Sequence, residues 1–272
     1  MTSREALALA AARLKATSDT PRLDAECLMA EALDVEREAL LLSDLDRPPP
    51  ETFNGLVDRR SAGEPIAYII GRRAFWRIEL EVGPGALVPR PDSETLIEAA
   101  LDHFGQDGPS RVLDLGTGPG TLLLAALDQW PRARGVGVDI SEEALAYANR
   151  NAERLGLSGR ASFRVADWAA GLDERFDLIL CNPPYVEAGC ALPVDVMEWE
   201  PHQALFAGAD GLSAYRRLAP EIARLLVPAG LACVEIGAGQ EADVGLLFSD
   251  MALKVGERRD LGGHIRCLTI GR

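Results

Sequence analysis

Long apolar runs are missing from this chain of 272 residues. The longest, such as Leu122 to Leu127, fall far short of the roughly 18 residues a membrane-spanning helix needs. Where a secretory leader would place an apolar core, the N-terminus offers Arg4, Glu5 and an Ala-rich amphipathic pattern, so a cytoplasmic protein is expected. Histidine is scarce: His103, His202 and His264 lie outside every motif described below, and no metal constellation is visible. The five cysteines (Cys27, Cys181, Cys190, Cys233, Cys267) are odd in number and widely spaced, without a metal-ligand pair, and are expected as buried free thiols. Basic runs are missing too. Residues 1–90 hold 12 Lys/Arg and 15 Asp/Glu, and residues 91–272 hold 16 and 27, for a net charge of −14. A polyanion such as DNA or RNA would be repelled by the second segment, although acidic surfaces also aid solubility and charge alone excludes no partner.

What is present is apolar content of 47%, ample for the interior of one large or two unequal domains. The first 70 residues read as helices. Thr2 to Glu5 fits a capping box ahead of Leu7, Ala10, Ala11 and Leu14. Thr20-Pro21 offers a second start, followed by Leu23, Leu28 and Leu33. Pro48-Pro49-Pro50 interrupts, and a further helix is expected from Glu51 to about Ala62. Then the period changes. Trp76, Ile78, Leu80 and Val82 alternate with charged residues as in a half-buried strand, Gly83-Pro84-Gly85 is a turn, and Ala86-Leu87-Val88 is the expected return.

From Arg111 onward short apolar strands alternate with helical stretches. Strands are expected over 111–115, 135–139, 162–165, 177–181, 231–236 and 267–270, and helices over 119–129, 141–155, 212–226 and 241–250. Alternation of this kind implies a parallel sheet covered by helices, with ligands beyond the carboxyl ends of the strands.

Three motifs fall at those ends. In Val112-Leu113-Asp114-Leu115-Gly116-Thr117-Gly118-Pro119-Gly120, an apolar strand runs into three alternating glycines, which allow backbone to approach a ligand closely. Asp139 ends the next strand, where a ribose-binding carboxylate is expected. The G-x-G-x-G spacing differs from the dinucleotide G-x-G-x-x-G and disfavours an NAD-dependent oxidoreductase. Asp167-Trp168 follows the third strand, a carboxylate to accept from an exocyclic amine and an indole to cover a base. Cys181-Asn182-Pro183-Pro184-Tyr185 follows the fourth. Its prolines lack backbone donors, so the loop presents carbonyl oxygens, and Asn182 adds a side-chain carbonyl. A planar NH2 group can donate one hydrogen to Asn182 and the other to the Pro183 carbonyl, with Tyr185 packed against the plane. That pair of acceptors favours rehybridisation of a delocalised nitrogen toward a nucleophile, an effect strongest in the transition state.

With these motifs the chain is similar to class I methyltransferases acting on planar nitrogens, and more narrowly it resembles the release factor glutamine methyltransferases, the PrmC/HemK family. Gly63 to Gly71, Phe75-Trp76, Val88 to Glu94 and Glu200-Pro201 through Gly211-Leu212 extend the resemblance over nearly the full length. The resemblance implies an α/β fold: a Rossmann-like seven-stranded methyltransferase domain (92–272) joined by a β-hairpin (75–91) to a small helical domain (1–74) that recognises the release factor. It implies that S-adenosyl-L-methionine is the cofactor and S-adenosyl-L-homocysteine the product. By the same resemblance, Gly116, Thr117, Gly118, Pro119 and Gly120 hold the methionine end, Asp139 the ribose, and Asp167 and Trp168 the adenine. Asn182, Pro183, Pro184 and Tyr185 hold the substrate glutamine, with Asn182 also beside the cofactor and with Asn182, Pro183 and Tyr185 catalytic. The expected partner is a class-1 peptide chain release factor methylated in its Gly-Gly-Gln motif, by a monomer with no direct nucleic-acid or membrane contact. Pro119 and Leu261-Gly262-Gly263-His264 depart from the commoner family pattern. An adenine N6-type nucleic-acid methyltransferase shares the Asn-Pro-Pro-Tyr logic and is the alternative, and a non-catalytic cofactor-binding scaffold is a further one.

Overall fold

A computed structural model describes residues 1–42 and 45–272, which divide into two compact units: residues 1–72 with 191–200, and residues 73–190 with 201–272. In the first unit α1 (Ser3–Leu14) begins at the expected capping box, with the Thr2 hydroxyl accepting from the Glu5 amide and the Glu5 carboxylate from the Thr2 amide. The unit continues with α2 (Pro21–Leu33), α3 (Arg37–Leu41), α4 (Thr52–Ser61) and α5 (Ile66–Ile70). Its core gathers Leu7, Leu14, Leu28, Met29, Leu40, Phe53, Val57 and Ile69. On α2, Leu28 is buried with Ala25 and Met29, whereas Leu23 and Leu33 are exposed. Steps of five residues rotate around a helix, so those three leucines never share a face. Later in the chain, α9 (Val194–Trp199) belongs to this unit, where Asp195 lies 3.5 Å from the buried Arg60 guanidinium.

The second unit begins with a hairpin displaced from its expected place. Its arms are β1 (Arg72–Phe75) and β2 (Ile78–Glu81), and the chain reverses at Trp76-Arg77. The expected alternation holds, with Ile78, Leu80 and Val82 buried, but Ala86–Val88 forms no strand. Tertiary contacts decide the turn. Trp76 adopts a φ of 55° while its amide donates to Glu94 Oε1 at 2.8 Å and its indole to Gln129 Oε1 at 3.2 Å. After β2, Gly85 has a φ of 86°, the left-handed region that favours glycine, and the Glu143 carboxylate lies over it.

Among the described residues, seven strands form one sheet in the order β5-β4-β3-β6-β7-β9-β8. The strands are β3 (Arg111–Leu115), β4 (Arg134–Asp139), β5 (Ala161–Val165), β6 (Phe176–Cys181), β7 (Leu226–Glu235), β8 (Lys254–Arg259) and β9 (Ile265–Gly271). The first five are parallel, and β9 runs antiparallel to both β7 and β8. Helices α6 (Glu94–Phe104), α7 (Thr121–Gln129), α8 (Glu142–Arg154), α10 (Ser213–Leu225) and α11 (Glu241–Ser249) complete the unit. The expected strands and helices are present, with α7 starting two residues late: Pro119 lies in the loop, and Gly120 (φ 87°) caps the helix. Two elements of this unit are not among those expected. Strand β8, Lys-Val-Gly-Glu-Arg-Arg, is charged as sheet edges often are, and α6 follows directly on a segment expected to be linker.

On one face of the sheet Leu113, Leu115, Ile179, Val234 and Leu268 are fully buried, and on the other Val112, Leu178, Leu180 and Cys233. Cys181, Cys233 and Cys267 are buried free thiols as expected, whereas Cys27 is half-buried and Cys190, on a loop, is exposed. No helix among the described residues is long and apolar enough to cross a membrane.

Candidate active site

The parallel register brings Leu115, Val138 and Cys181 level, so the loops that follow β3, β4 and β6 open on the same edge of the sheet. Between them is a cleft of about 270 Å³, lined by Gly116, Thr117, Gly118, Pro119, Asp139, Asp167, Trp168, Asn182 and Pro184 among the expected residues. Gly120, Pro183 and Tyr185 are not among the residues that line it.

The glycine loop is built on main-chain bonds and one buried acid. The amides of Gly116 and Thr117 both donate to the Val138 carbonyl at 2.9 Å. Gly116 and Gly118 have φ of 73° and 56°, the left-handed region that glycine occupies without strain. Asp114, at the end of β3, is 1% exposed; its Oδ2 accepts from the Thr117 hydroxyl at 2.6 Å and the Leu123 amide at 3.1 Å. Its Oδ1 is buried without a partner among the described residues, although Asp114 lines the cleft. Burial pushes the Asp114 carboxyl up to about 7, against the pull of those hydrogen bonds. Such an oxygen is an acceptor held ready for a donor that enters the cleft.

Asp139 joins the first two loops. Its Oδ2 accepts from the Gly118 amide at 2.8 Å and its Oδ1 from the Ser141 amide at 2.9 Å, where Ser141 caps α8. A carboxylate accepts about four hydrogen bonds, so capacity remains on the cleft side. Trp168, at a φ of 54°, lies against the glycine loop, its ring 3.4 Å from where a Gly116 Cβ would stand. Asp167 Oδ2 pairs with Arg217 Nη2 at 2.7 Å, with both side chains about half exposed.

The loop after β6 is tied down from within. Asn182 Nδ2 donates to Ser93 Oγ at 3.0 Å, and Ser93 Oγ donates to Glu235 Oε2 at 2.5 Å. The Tyr185 hydroxyl donates to Glu235 Oε1 at 3.4 Å, and the Tyr185 carbonyl accepts from Gln240 Nε2 at 3.1 Å. Burial, then the Glu235 charge, push the Tyr185 hydroxyl up to about 12, so it stays protonated. Tyr215 donates to the Glu235 carbonyl at 3.0 Å. Glu235 is 1% exposed, and burial pushes it up to about 7 against hydrogen bonds from Ser93 and Tyr185 and the Arg266 charge.

Asp114, Ser93 and Glu235 are the residues that motif reading left without a role. The first two stand inside quoted motifs; Glu235 lies at the end of a strand whose sequence shows only apolar neighbours. The departure at Leu261–His264 is the tip of the β8–β9 hairpin, where Gly263 has a φ of 85° and the Asp260 carboxylate accepts from the His264 amide at 2.9 Å.

Among solved structures, the chain is similar to a methyltransferase from Pyrococcus furiosus (TM-score 0.53, 20% identity, 71% of this chain and 89% of that one). It is also similar to a ribosomal protein L11 methylase from Lactobacillus delbrueckii (TM-score 0.52, 21% identity, 71% and 84%). At those identities the likeness is one of fold. Sequence similarity goes further. Residues 5–71 match the PrmC N-terminal domain and residues 107–243 a methyltransferase domain. The release factor glutamine methyltransferase of Rhodospirillum rubrum is 45% identical over 96% of this chain and 82% of its own length. That of Caulobacter vibrioides is 42% identical over 93% and 91%. With matches to both domains and this identity over nearly the whole length, the chain belongs to the release factor glutamine methyltransferase family.

Proposed function

We propose that this protein transfers a methyl group from S-adenosylmethionine to the side-chain amide nitrogen of the glutamine in the Gly-Gly-Gln motif of class-1 release factors. The observation that carries the reading is one cleft lined both by the glycine loop with Asp139 and by Asn182 with Pro184. The residues present fit the cofactor: the unpartnered Asp114 Oδ1 suits its ammonium group, the bared glycine backbone its methionine chain, Asp139 its ribose, and Trp168 with Asp167 its adenine. When bound, that cofactor supplies a methyl group activated by a sulfonium. The chain's own work is placement. Asn182 Oδ1 and the Pro183 carbonyl accept from the two glutamine N–H bonds, drawing the nitrogen lone pair out of conjugation and aiming it along the line of displacement. Tyr185, protonated and anchored, holds the loop rather than moving a proton.

In this reading the helical unit (1–72) recognises the folded release factor in the cytoplasm, since a glutamine on an exposed loop offers too little surface for discrimination. A protein substrate also suits an acidic chain of net charge −14 better than a polyanion does. The test is methyl transfer from labelled cofactor to purified release factor, with RNA and DNA as controls. Asn182→Ala is expected to lower kcat by about 10²-fold or more while cofactor binding survives, because an acceptor preorganised for the transition state is lost. Near-normal turnover by that variant would sink the acceptor role, and label appearing in nucleic acid would reassign the substrate.

A further inference from the structure

The Asn182 side chain presents a problem that its own residue type does not solve. A primary amide is nearly symmetric in shape, and its two orientations differ only in which end faces the substrate. With Oδ1 toward the cleft it accepts from the substrate NH2; turned over, it would confront that NH2 with another donor. Something behind Asn182 must choose.

We infer that Ser93 and Glu235 are positioning residues that fix the orientation of the Asn182 amide, and through it the acceptor geometry of the loop. The inference rests on the acceptor role proposed above and follows from counting protons. The Ser93 hydroxyl, 3% exposed on the turn before α6, owns one proton, and it is committed to Glu235 Oε2 at 2.5 Å. Above about pH 7, where Glu235 is ionised, its carboxylate is acceptor only and the hydrogen bond cannot run the other way. Ser93 then offers Asn182 only lone pairs, and Asn182 answers with Nδ2 at 3.0 Å. Oδ1 is left for the cleft that Asn182 lines. The other oxygen of the same carboxylate accepts from Tyr185, so one buried group ties residues 182 and 185 at once.

The groups around Glu235 show why its charge state matters. Ser93 and Asp92 face it from the turn, Cys181 from β6, Tyr185 from the loop, Tyr215 from α10, and Arg266 and Cys267 from β9. Arg266 is the cation of that set, and its closest carboxylates are Asp92 at 3.3 Å and Asp260 at 3.4 Å. Glu235 is therefore buried without a cation of its own, and burial raises it to about 7. Once protonated, Glu235 can donate to Ser93, Ser93 can donate to Asn182, and the amide is free to turn. Turnover is expected to fall as pH drops through that value.

The experiment uses the full-length enzyme with release factor as substrate and the variants Ser93→Ala, Ser93→Thr, Glu235→Gln and Asn182→Ala. Ser93→Ala is expected to lower kcat by about 10-fold, the loss of roughly one orienting hydrogen bond, with cofactor affinity within about twofold. Ser93→Thr keeps the hydroxyl and should recover most of the rate. Glu235→Gln should lower kcat by a similar factor and flatten its acid limb. In nitrogen-15 spectra of the free enzyme, the Asn182 NH2 should lose hydrogen-exchange protection in Ser93→Ala and keep it in Ser93→Thr. An unchanged kcat or unchanged protection in Ser93→Ala, beside a disabled Asn182→Ala, would overturn the orientation device while leaving the acceptor role standing. Normal turnover by Asn182→Ala would remove the acceptor role and this inference with it. If Glu235→Gln fails to fold, the Ser93 pair decides alone.

Discussion

The two compact units differ in how their most buried acids are met. In the helical unit, three buried acids are matched by cations. Asp24 meets Arg60 at 2.7 Å with both side chains 7% exposed, Glu26 is clamped by Arg22 and Arg37 at 2.7 Å each, and Glu64 pairs with Arg59. Burial alone would raise Glu26, but the hydrogen bonds from its two arginines prevail and hold it low. In the sheet unit, Asp114 and Glu235 are buried at 1% exposure, and both are pushed up to about 7. Neither hydrogen-bonds to a cation; their donors are hydroxyls and, for Asp114, a backbone amide. A matched ion pair fixes structure. An acid kept in the interior without a cation costs stability, and in this unit both examples lie at strand ends beside the cleft, where perturbed acids gather around chemistry.

Removing a cation from the first unit should give the largest effect on stability. Arg60→Met leaves Asp24 buried and uncompensated, and about 3–5 kcal/mol should be lost in denaturant unfolding. A loss under about 1 kcal/mol would mean that the helical unit is not held by its ion pairs, and the contrast would fail.

Acidity should separate the units by sign. Asp114 and Glu235 hold protons in the folded state up to about pH 7, whereas in an unfolded chain they ionise near pH 4. The folded chain thus binds more protons across that window. The stability these groups confer falls as pH rises from about 4 to 7 and is constant above it, by roughly 2–4 kcal/mol each. Glu26 behaves oppositely: its contribution is present above its unfolded value and is lost as pH falls below it. Unfolding curves at pH 5 and pH 8 should show Asp114→Asn relieving destabilisation at pH 8 and little at pH 5. Equal effects at both would assign Asp114 an ordinary ionised state.

Smaller effects sharpen the picture at the cleft. Asp139→Ala should weaken cofactor binding by about 1.5–3 kcal/mol in calorimetry, since a charge-assisted hydrogen bond acts on ground and transition states alike. Because Asp139 also accepts from Gly118 and Ser141, a drop in melting temperature should accompany it, and unchanged affinity would leave it a loop brace only. The smallest effect belongs to Arg217→Ala. Its pair with Asp167 is about half exposed, so stability should move by no more than about 0.5 kcal/mol. A larger change would place Arg217 among the groups that matter for the cleft.

The chain's local chemistry was enough to place most elements and the three motif loops. The Thr2 capping box, the glycines at 116, 118 and 120 and the Asn182–Tyr185 segment each carry a requirement that holds whatever surrounds them: a capped amide, a positive φ, a loop without backbone donors. Alternation of apolar strands with helices likewise dictates a parallel sheet, and hence the edge on which the loops meet. The hairpin turn was a different case. Its period-2 pattern was legible, but Glu94 and Gln129, 18 and 53 residues from Trp76, set where the chain reverses. Strand β8 was hidden because an edge strand needs little apolar surface. The direction of the Asn182 amide lay beyond any local reading. It depends on two hydrogen bonds in series, Asn182 to Ser93 across 89 positions and Ser93 to Glu235 across 142, and only the folded sheet brings those three together away from water.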